Sequence, residues 1–343
     1  MDYKSVGVDI DAGNELVSRI RGMAQRTFTS GVLSDIGSFG GLFRPDLSET
    51  TDPVLVSSAD GVGTKLKVAF LAGRHATVGV DLVNHCVNDI LVQGAKPLFF
   101  MDYLATGRLS PAVTAEVVGG IASGCVDNGC ALLGGETAEM PGFYADGEYD
   151  LAGFVVGLVD RQSVIDGRRI EPGDQLIGLP SNGLHTNGYS LARHIVFDSL
   201  GLGVDDAIKE LGGSPADLLL TPHRSYLRSI GSALSGTSCV VKGLAHITGG
   251  GLTDNLPRVL PTGTAAEIDR STWVPLPIFR FLQDRGALTD DEVFRTFNMG
   301  IGMVAVCSPE HTRGLLSCLE DAGEDGALVI GRVIPGGGIV SYI

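Results

Sequence analysis

Two periodicities alternate along the chain. Residues 53 to 58 (PVLVSS) and 97 to 105 (PLFFMDYLA) are short apolar runs that predict buried strands, and residues 78 to 93 between them predict a helix. At about 100° per residue, Val80, Val83, Val87, Ile90 and Leu91 share one arc of this helix, with Asp81, Asn84, His85, Asn88 and Asp89 on the adjoining arc. One face is expected to pack and the other to offer polar side chains. Gly94 and Pro97 punctuate its end, because glycine suits a left-handed cap and proline cannot continue the helix. A second helix is predicted from about Pro111 to Asp127, followed by strands at 131 to 136 (ALLGGE) and 150 to 159 (DLAGFVVGLV). The elements alternate without strict βαβ regularity, which points to an α/β class with mixed sheets, of the α/β or α+β kind.

The stretch 160 to 175 (DRQSVIDGRRIEPGDQ) is charged, turn-rich and poor in apolar period, so it reads as a linker. A chain of 343 residues exceeds the usual single core, and a boundary here gives domains at 1 to 167 and 168 to 343. The second half again mixes strands (QLIGLP, TAAEI, MGIGMVAV, ALVIGRV) with helices near 188 to 200, 223 to 235, 252 to 260 and 309 to 322.

Composition narrows the function. The 40 acidic and 25 basic residues leave a net charge of -15, which argues against a nucleic-acid or anionic-membrane surface. No apolar run reaches about 18 residues, and the opening MDYKSVGVDIDAGN has no basic-then-apolar leader, so a soluble, cytoplasmic chain is expected. Cys86, Cys125, Cys130, Cys239, Cys307 and Cys318 form no C-x-x-C pair and read as buried free thiols. The 49 glycines are about twice the usual share of roughly 7%, which predicts many tight turns and close backbone approaches to ligand.

Several stretches could carry chemistry. In SADGVGTKLKVAF (58 to 70), Asp60 can hold a divalent ion, Gly61 and Gly63 let backbone approach a phosphate, and Lys65 after Thr64 supplies positive charge. A strand-to-helix turn with an exposed lysine is the plain alternative. LGGETAEMPG (133 to 142) sets Glu136 and Glu139 beside Gly134 and Gly135; near Asp60 and Asp89, those carboxylates would form a hard-oxygen cluster for Mg²⁺. DIGSFGGLF (35 to 43) reads either as a glycine-hinged lid or as a flexible connection. His185 and His246 each precede a polar or glycine-rich turn opening a predicted helix, and Gly249, Gly250 and Gly251 would admit a phosphate. Either histidine could act as acid, base or electrostatic stabiliser, or be structural. His75, His194, His223 and His311 lack metal-ligand spacing and read as structural.

In order, these segments resemble the phosphoribosylformylglycinamidine cyclo-ligase family, also called aminoimidazole ribonucleotide synthetase. The match runs through GVDIDAGN (7 to 14), DGVGTK (60 to 65), GVDLVNHCVNDILVQGAKPLFFMDY (79 to 103), GGETAEMPG (134 to 142), HTNGYS (185 to 190), HITGGG (246 to 251) and RTFNMGIGM (295 to 303). Met299 stands where many members carry cysteine, and GSFGGLF replaces the more usual GGFGAL. The resemblance implies a two-domain PurM-like fold whose N-terminal sheet joins a second copy's in a homodimer barrel. It implies ATP-dependent cyclisation of formylglycinamidine ribonucleotide, with ATP and Mg²⁺ used, Asp89 catalytic, Asp60, Asp89 and Glu136 on the metal, and Asn187 on the substrate. Another ATP-dependent enzyme of the superfamily, or a non-catalytic nucleotide-binding assembly protein, is the competing reading.

Overall fold

The computed structural model describes residues 9 to 235 and 240 to 343. Residues 7 and 8 of GVDIDAGN, and Cys239, lie outside the described residues. The chain divides into two compact units, one of residues up to Ile90 plus Lys96–Arg161, the other of Leu91–Ala95 plus Gln162–Ile343.

The first unit begins with α1 (Ile10–Gln25), capped by Asp9, whose carboxylate accepts the N–H groups of Asp11 and Ala12. No apolar run marks this helix, and the hydrophobic pattern did not predict it. There follow β1 (Pro53–Gly61), α2 (Lys65–Ala72), α3 (Ala76–Leu91), β2 (Lys96–Thr106), α4 (Pro111–Asp127), β3 (Ala131–Glu139) and β4 (Tyr149–Asp160). Proline at the first position of α4 costs no hydrogen bond, because that N–H has no partner within a helix. The strands form one mixed sheet in the order β1-β4-β2-β3, antiparallel except for the parallel pair of β2 and β3. One row across it reads Asp60, Gly153, Asp102, Gly135.

α3 is buried on both of the arcs read from the sequence. Val83, Val87 and Ile90 are fully buried, as expected, but Asp81, Asn84, His85 and Asn88 are buried too. Their burial is possible because they find partners inside: Asn128 Nδ2 donates to Asn84 Oδ1 at 2.7 Å, for example. The helix lies in backbone contact with α4, where a Cβ at Gly79 would stand 2.2 Å from the Val117 carbonyl oxygen and one at Gly120 1.9 Å from that of Ala76. Past its end, Gly94 takes the left-handed φ of 83°.

The second unit holds β5 (Gln175–Pro180), α5 (Tyr189–Arg193), α6 (Pro215–Leu219), α7 (Leu227–Ser235), β6 (Gly243–His246), α8 (Gly251–Asn255), β7 (Thr264–Ile268), α9 (Pro277–Gly286), α10 (Asp290–Thr296), β8 (Ile301–Cys307), α11 (Pro309–Asp321), β9 (Leu328–Pro335) and β10 (Val340–Tyr342). Its six strands order as β10-β7-β9-β5-β8-β6, antiparallel except for β10 with β7. All of β8 is buried. Tyr226, Ile230, Leu244, Met303, Leu315 and Leu319 build the core beside it, joined by Leu91. Both units therefore have the mixed α/β architecture expected.

Cys86, Cys125, Cys130 and Cys307 are buried free thiols, as read from the sequence. Among the described residues, no helix is long and apolar enough to cross a membrane.

The α3–α4 contact leaves no room for a methyl group. Gly120→Ala is expected to cost about 1–3 kcal/mol in stability, read as a lower urea midpoint with an unchanged m-value. Gly22→Ala, on α1 with open space around it, should leave the midpoint unchanged or raise it.

Candidate functional site

Where β1 ends and α3 runs past it, two acids meet around one histidine. Asp60 Oδ2 lies 2.9 Å from His85 Nε2, while its Oδ1 accepts the Gly61 N–H at 2.7 Å. Asp89, one helical turn beyond His85, accepts the Ser58 hydroxyl at 3.0 Å. Burial pulls the His85 pKa down, but the hydrogen bond and charge of Asp60, with the charges of Asp89 and Asp81, outweigh it and hold the pKa raised. His85 is thus biased towards imidazolium, and its bond to Asp60 was not read from the sequence. Gly63 supplies the left-handed φ of 64° that turns the chain into Thr64, the residue capping α2.

Lys65 is buried, not the exposed lysine of the plain strand-to-helix turn. Its ammonium donates to Asp81 Oδ1 at 2.8 Å, and both side chains are fully buried. Desolvation lowers its pKa and Asp81 opposes that shift. The lysine expected to offset phosphate charge is thus found in an internal ion pair with Asp81.

Glu136 is also displaced from the expected ligand set. It lies on β3, at the opposite edge of the sheet from the β1 strand that carries Asp60. Three strand spacings, roughly 14 Å, separate them, so one chain does not gather Asp60, Asp89 and Glu136 on one ion. Glu139 accepts the N–H groups of Asp9 and Leu109, both at 2.7 Å, and is structural.

Glu136 instead lines a cavity of about 360 Å³ with Gly134, Gly135, Leu16, Phe39 and Asp102. Residues 35 to 41 of the glycine-rich loop form one wall. The loop's base is tied by Leu33 N–H to the Leu42 carbonyl and Arg44 N–H to that of Gly31, both 2.8 Å. Burial pushes the Asp102 carboxyl up to about 7, so near neutrality it can both donate and accept a hydrogen bond. Spacing gave no sign of Asp102, which sits within an apolar strand pattern.

In the second unit, three histidines come together. His185 and His223 stack with ring centroids 4.1 Å apart, and His223 Nε2 lies 3.1 Å from His246 Nε2. Thr186 Oγ1 reaches His223 Nδ1 at 3.2 Å, and Asn182 Oδ1 reaches His185 Nε2 at 3.0 Å. All three are buried. His223, read as structural, is buried between the other two rings; its link to His246 spans 23 residues and has no local signature. His75, by contrast, does pair with Tyr149 in the core, at 3.0 Å.

The motifs around the cluster explain its geometry. His185 takes a positive φ of 62°, costly for a side chain with a Cβ. Gly302 makes room for it, because a Cβ there would lie 2.1 Å from the Tyr226 hydroxyl and 2.6 Å from His185 Cε1. Asn298 of the RTFN segment accepts from Ser181 Oγ at 2.8 Å and donates to the Gly183 carbonyl at 2.8 Å, clamping the loop before His185. The turn Gly249, Gly250, Gly251 follows His246 and is tied by Asn255 Nδ2, which donates to the carbonyls of Gly249 at 3.0 Å and Gly251 at 2.9 Å. Asn187 adjoins it: a Cβ at Gly249 would stand 3.3 Å from its Oδ1.

Comparison with known proteins places this arrangement among its relatives. The profile described as AIR synthase related protein, N-terminal domain, matches residues 40–159, and that of the C-terminal domain matches 171–343. A protein of Geotalea uraniireducens named phosphoribosylformylglycinamidine cyclo-ligase is 54% identical over 331 residues, 96% of this chain and 94% of that one. Its namesake from Geobacter metallireducens is 56% identical over the same shares, and that from Alkaliphilus oremlandii 50%, with 97% of each chain covered. Among solved structures, thiamine-monophosphate kinase from Stenotrophomonas maltophilia has a TM-score of 0.69 at 17% identity, covering 96% of this chain and 95% of that one. Hydrogenase maturation protein HypE in complex with ATP has a TM-score of 0.67 at 17% identity, covering 96% and 90%. These two share the fold.

The inward ion pair carries its own test. Asp81→Ala should cost about 3–5 kcal/mol in urea unfolding, because it strands a buried ammonium, whereas replacing both Lys65 and Asp81 with apolar residues of similar size should restore most of that loss.

Proposed function

The chain belongs to the phosphoribosylformylglycinamidine cyclo-ligase family, and from that premise we propose how its residues perform the reaction. It is an ATP-dependent ligase of purine biosynthesis. Formylglycinamidine ribonucleotide and ATP become aminoimidazole ribonucleotide, ADP and phosphate. The formyl amide oxygen takes the γ-phosphoryl group, which turns a poor leaving oxygen into a good one. The amidine nitrogen then attacks the same carbon, the ring closes, phosphate departs, and the nitrogen loses its proton.

The carboxylate corner carries this reading. Asp60 and Asp89 are the residues that would hold a hard divalent cation, and each carboxylate accepts a hydrogen bond, Asp60 from His85 and Asp89 from Ser58. Held there, Mg²⁺ would neutralise phosphate charge, and phosphoryl transfer depends chiefly on such positioning and electrostatics. Gly61, Gly63 and Thr64 bring main chain beside that corner. The cavity beside Asp102 seats the nucleotide base; its volume of about 360 Å³ lies in the usual ligand range of roughly 300–1,000 Å³. Gly134, Gly135 and Glu136 wall it. In the second unit, Asn187 and the Gly249 to Gly251 turn hold the substrate's ribose phosphate, while His185 and His246 manage protons at closure. The short α8, of five residues, leaves that task to individual N–H groups more than to a helix dipole.

The chain works as a cytoplasmic homodimer in this reading. The first sheet is a half-barrel with an uncovered apolar face on which Leu55 and Phe154 are exposed, as a partner surface requires. A second copy closes it.

Purified protein should release ADP and form aminoimidazole ribonucleotide only with formylated substrate, ATP and Mg²⁺ together. Asp89→Asn should cut kcat by about 10²–10³ and raise the Mg²⁺ requirement, and full turnover at all Mg²⁺ concentrations would remove its metal role. His246→Ala should lower single-turnover chemistry by about 10²–10⁴, whereas Asp102→Ala should raise KM for ATP more than it lowers kcat. Phe154→Glu should sediment as a monomer; a concentration-independent monomer of the parent chain would defeat the dimer.

A further inference from the structure

We infer that Asp102 holds the adenine of the nucleotide by its edge: one carboxyl oxygen donates its hydrogen to a ring nitrogen, and the other accepts from the amino group beside that nitrogen. This rests on the reading that the cavity of about 360 Å³ seats the base. Asp102 is 8% exposed, and Gly135 stands opposite it across the β2–β3 pair. A Cβ at Gly135 would lie 2.3 Å from Asp102 Oδ1, so the glycine leaves the carboxyl its room at the cavity wall. Among the described residues, no group other than its own N–H donates to this carboxyl. A buried polar group left without partners is costly, which favours a ligand that supplies them.

The surroundings of Asp102 favour its neutral form. No lysine, arginine or histidine is among the described residues lining the cavity, whose other acids are Asp35 on the loop and Glu136 on β3, both exposed. From the remaining elements, α4 brings the Cys125 thiol, β4 brings Gly153, and α1 brings Arg21, whose charge acts on Asp35. α3 turns its Asp81 and His85 to Lys65 and Asp60. None of these groups steadies an anion at Asp102, and burial accordingly lifts its carboxyl to about 7.

A neutral carboxyl carries one donor and one acceptor side by side, whereas a carboxylate has acceptors only. Adenine offers the complement, a bare ring nitrogen next to an amino group, the pattern that the side-chain amides of Asn and Gln read with two bonds. A carboxylate cannot do this, because its second oxygen would face the lone pair of the ring nitrogen. Where Asp102 is ionised, adenine binding therefore takes up one proton, and the hold on ATP weakens as pH rises above about 7. The exposed Asp35 and Glu136 also repel a triphosphate, so the base is the end of the nucleotide that this cavity suits.

The test titrates the full chain with MgATP by calorimetry from about pH 6 to pH 8.5, beside Asp102→Asn, whose amide keeps one donor and one acceptor but cannot ionise. At pH 6 the two should bind ATP within about threefold of each other. Above about pH 7 the Kd of the parent, relative to that of Asp102→Asn, should rise about tenfold per pH unit. At pH 8 the parent should take up close to one proton more than Asp102→Asn on binding, read from buffers of different ionisation heat. Asp102→Ala should weaken ATP by about 10–100-fold at pH 6. A Kd ratio that stays constant with pH, which is what a role in packing alone predicts, overturns the inference, and so does Asp102→Asn binding as weakly as Asp102→Ala. Should Asp102→Ala not fold, the parent and Asp102→Asn decide by themselves. Photolabelling with 8-azido-ATP separates the underlying reading: label on residues 35 to 41 or 134 to 137 together with a constant ratio overturns the inference alone, whereas label only outside the cavity removes it as the base site, and the inference with it.

Discussion

The first unit depends on α3 being buried on all sides. Its apolar arc packs as any amphipathic helix does, but its polar arc is also withdrawn from water, and a buried polar group is costly unless paired. Lys65 with Asp81 meets that requirement for charge, and Asn128 with Asn84 meets it for an amide. The glycine crossing with α4 then fixes the depth of the helix. With its helix held this way, Asp89 keeps a set relation to His85, which reaches Asp60. The internal ion pair thus helps to locate the helix that carries His85 and Asp89.

The second unit reaches the same end by other means. There the histidines proposed to act lie in a loop or at a strand end, and such positions need external ties to hold a geometry. Asn298 clamps the approach to His185, Asn255 ties the glycine turn after His246, and Gly302 leaves space for a histidine in a left-handed conformation. Strain at His185 persists because its surroundings over-determine it, the usual condition for stored strain at a functional position. His223 closes the group by touching both other rings.

How far the sequence could be read follows from how local each signal is. QLIGLP, TAAEI and the helix from Pro111 to Asp127 were legible because apolar runs and caps sit within the element itself. The helices read at 188 to 200 and 252 to 260 proved shorter, α5 giving way to a π-helical turn at His194–Ser199 and α8 to a 3₁₀ turn at Leu256–Arg258. α1 was missed because it buries only part of a sparse apolar face, with Leu16 and Ala24 its buried residues. Its docking on α4 and β3 is a tertiary matter.

By itself, the sequence determined the mixed α/β class, the strands at both ends of α3, and the order of motifs that carries Asp60, Asp89, His185 and His246. Those properties are written in periodicity and in glycine and proline positions, which act over a few residues. Only the tertiary structure decided what each charge faces. Lys65 looked like a phosphate ligand and became half of an internal pair, and Glu136 was carried to the far edge of the sheet by strand order. His223 read as structural, and its contacts with both other histidines were not legible in the spacing. A side chain's chemistry depends on its neighbours' dipoles and on its separation from water, and both are set by residues distant in the chain.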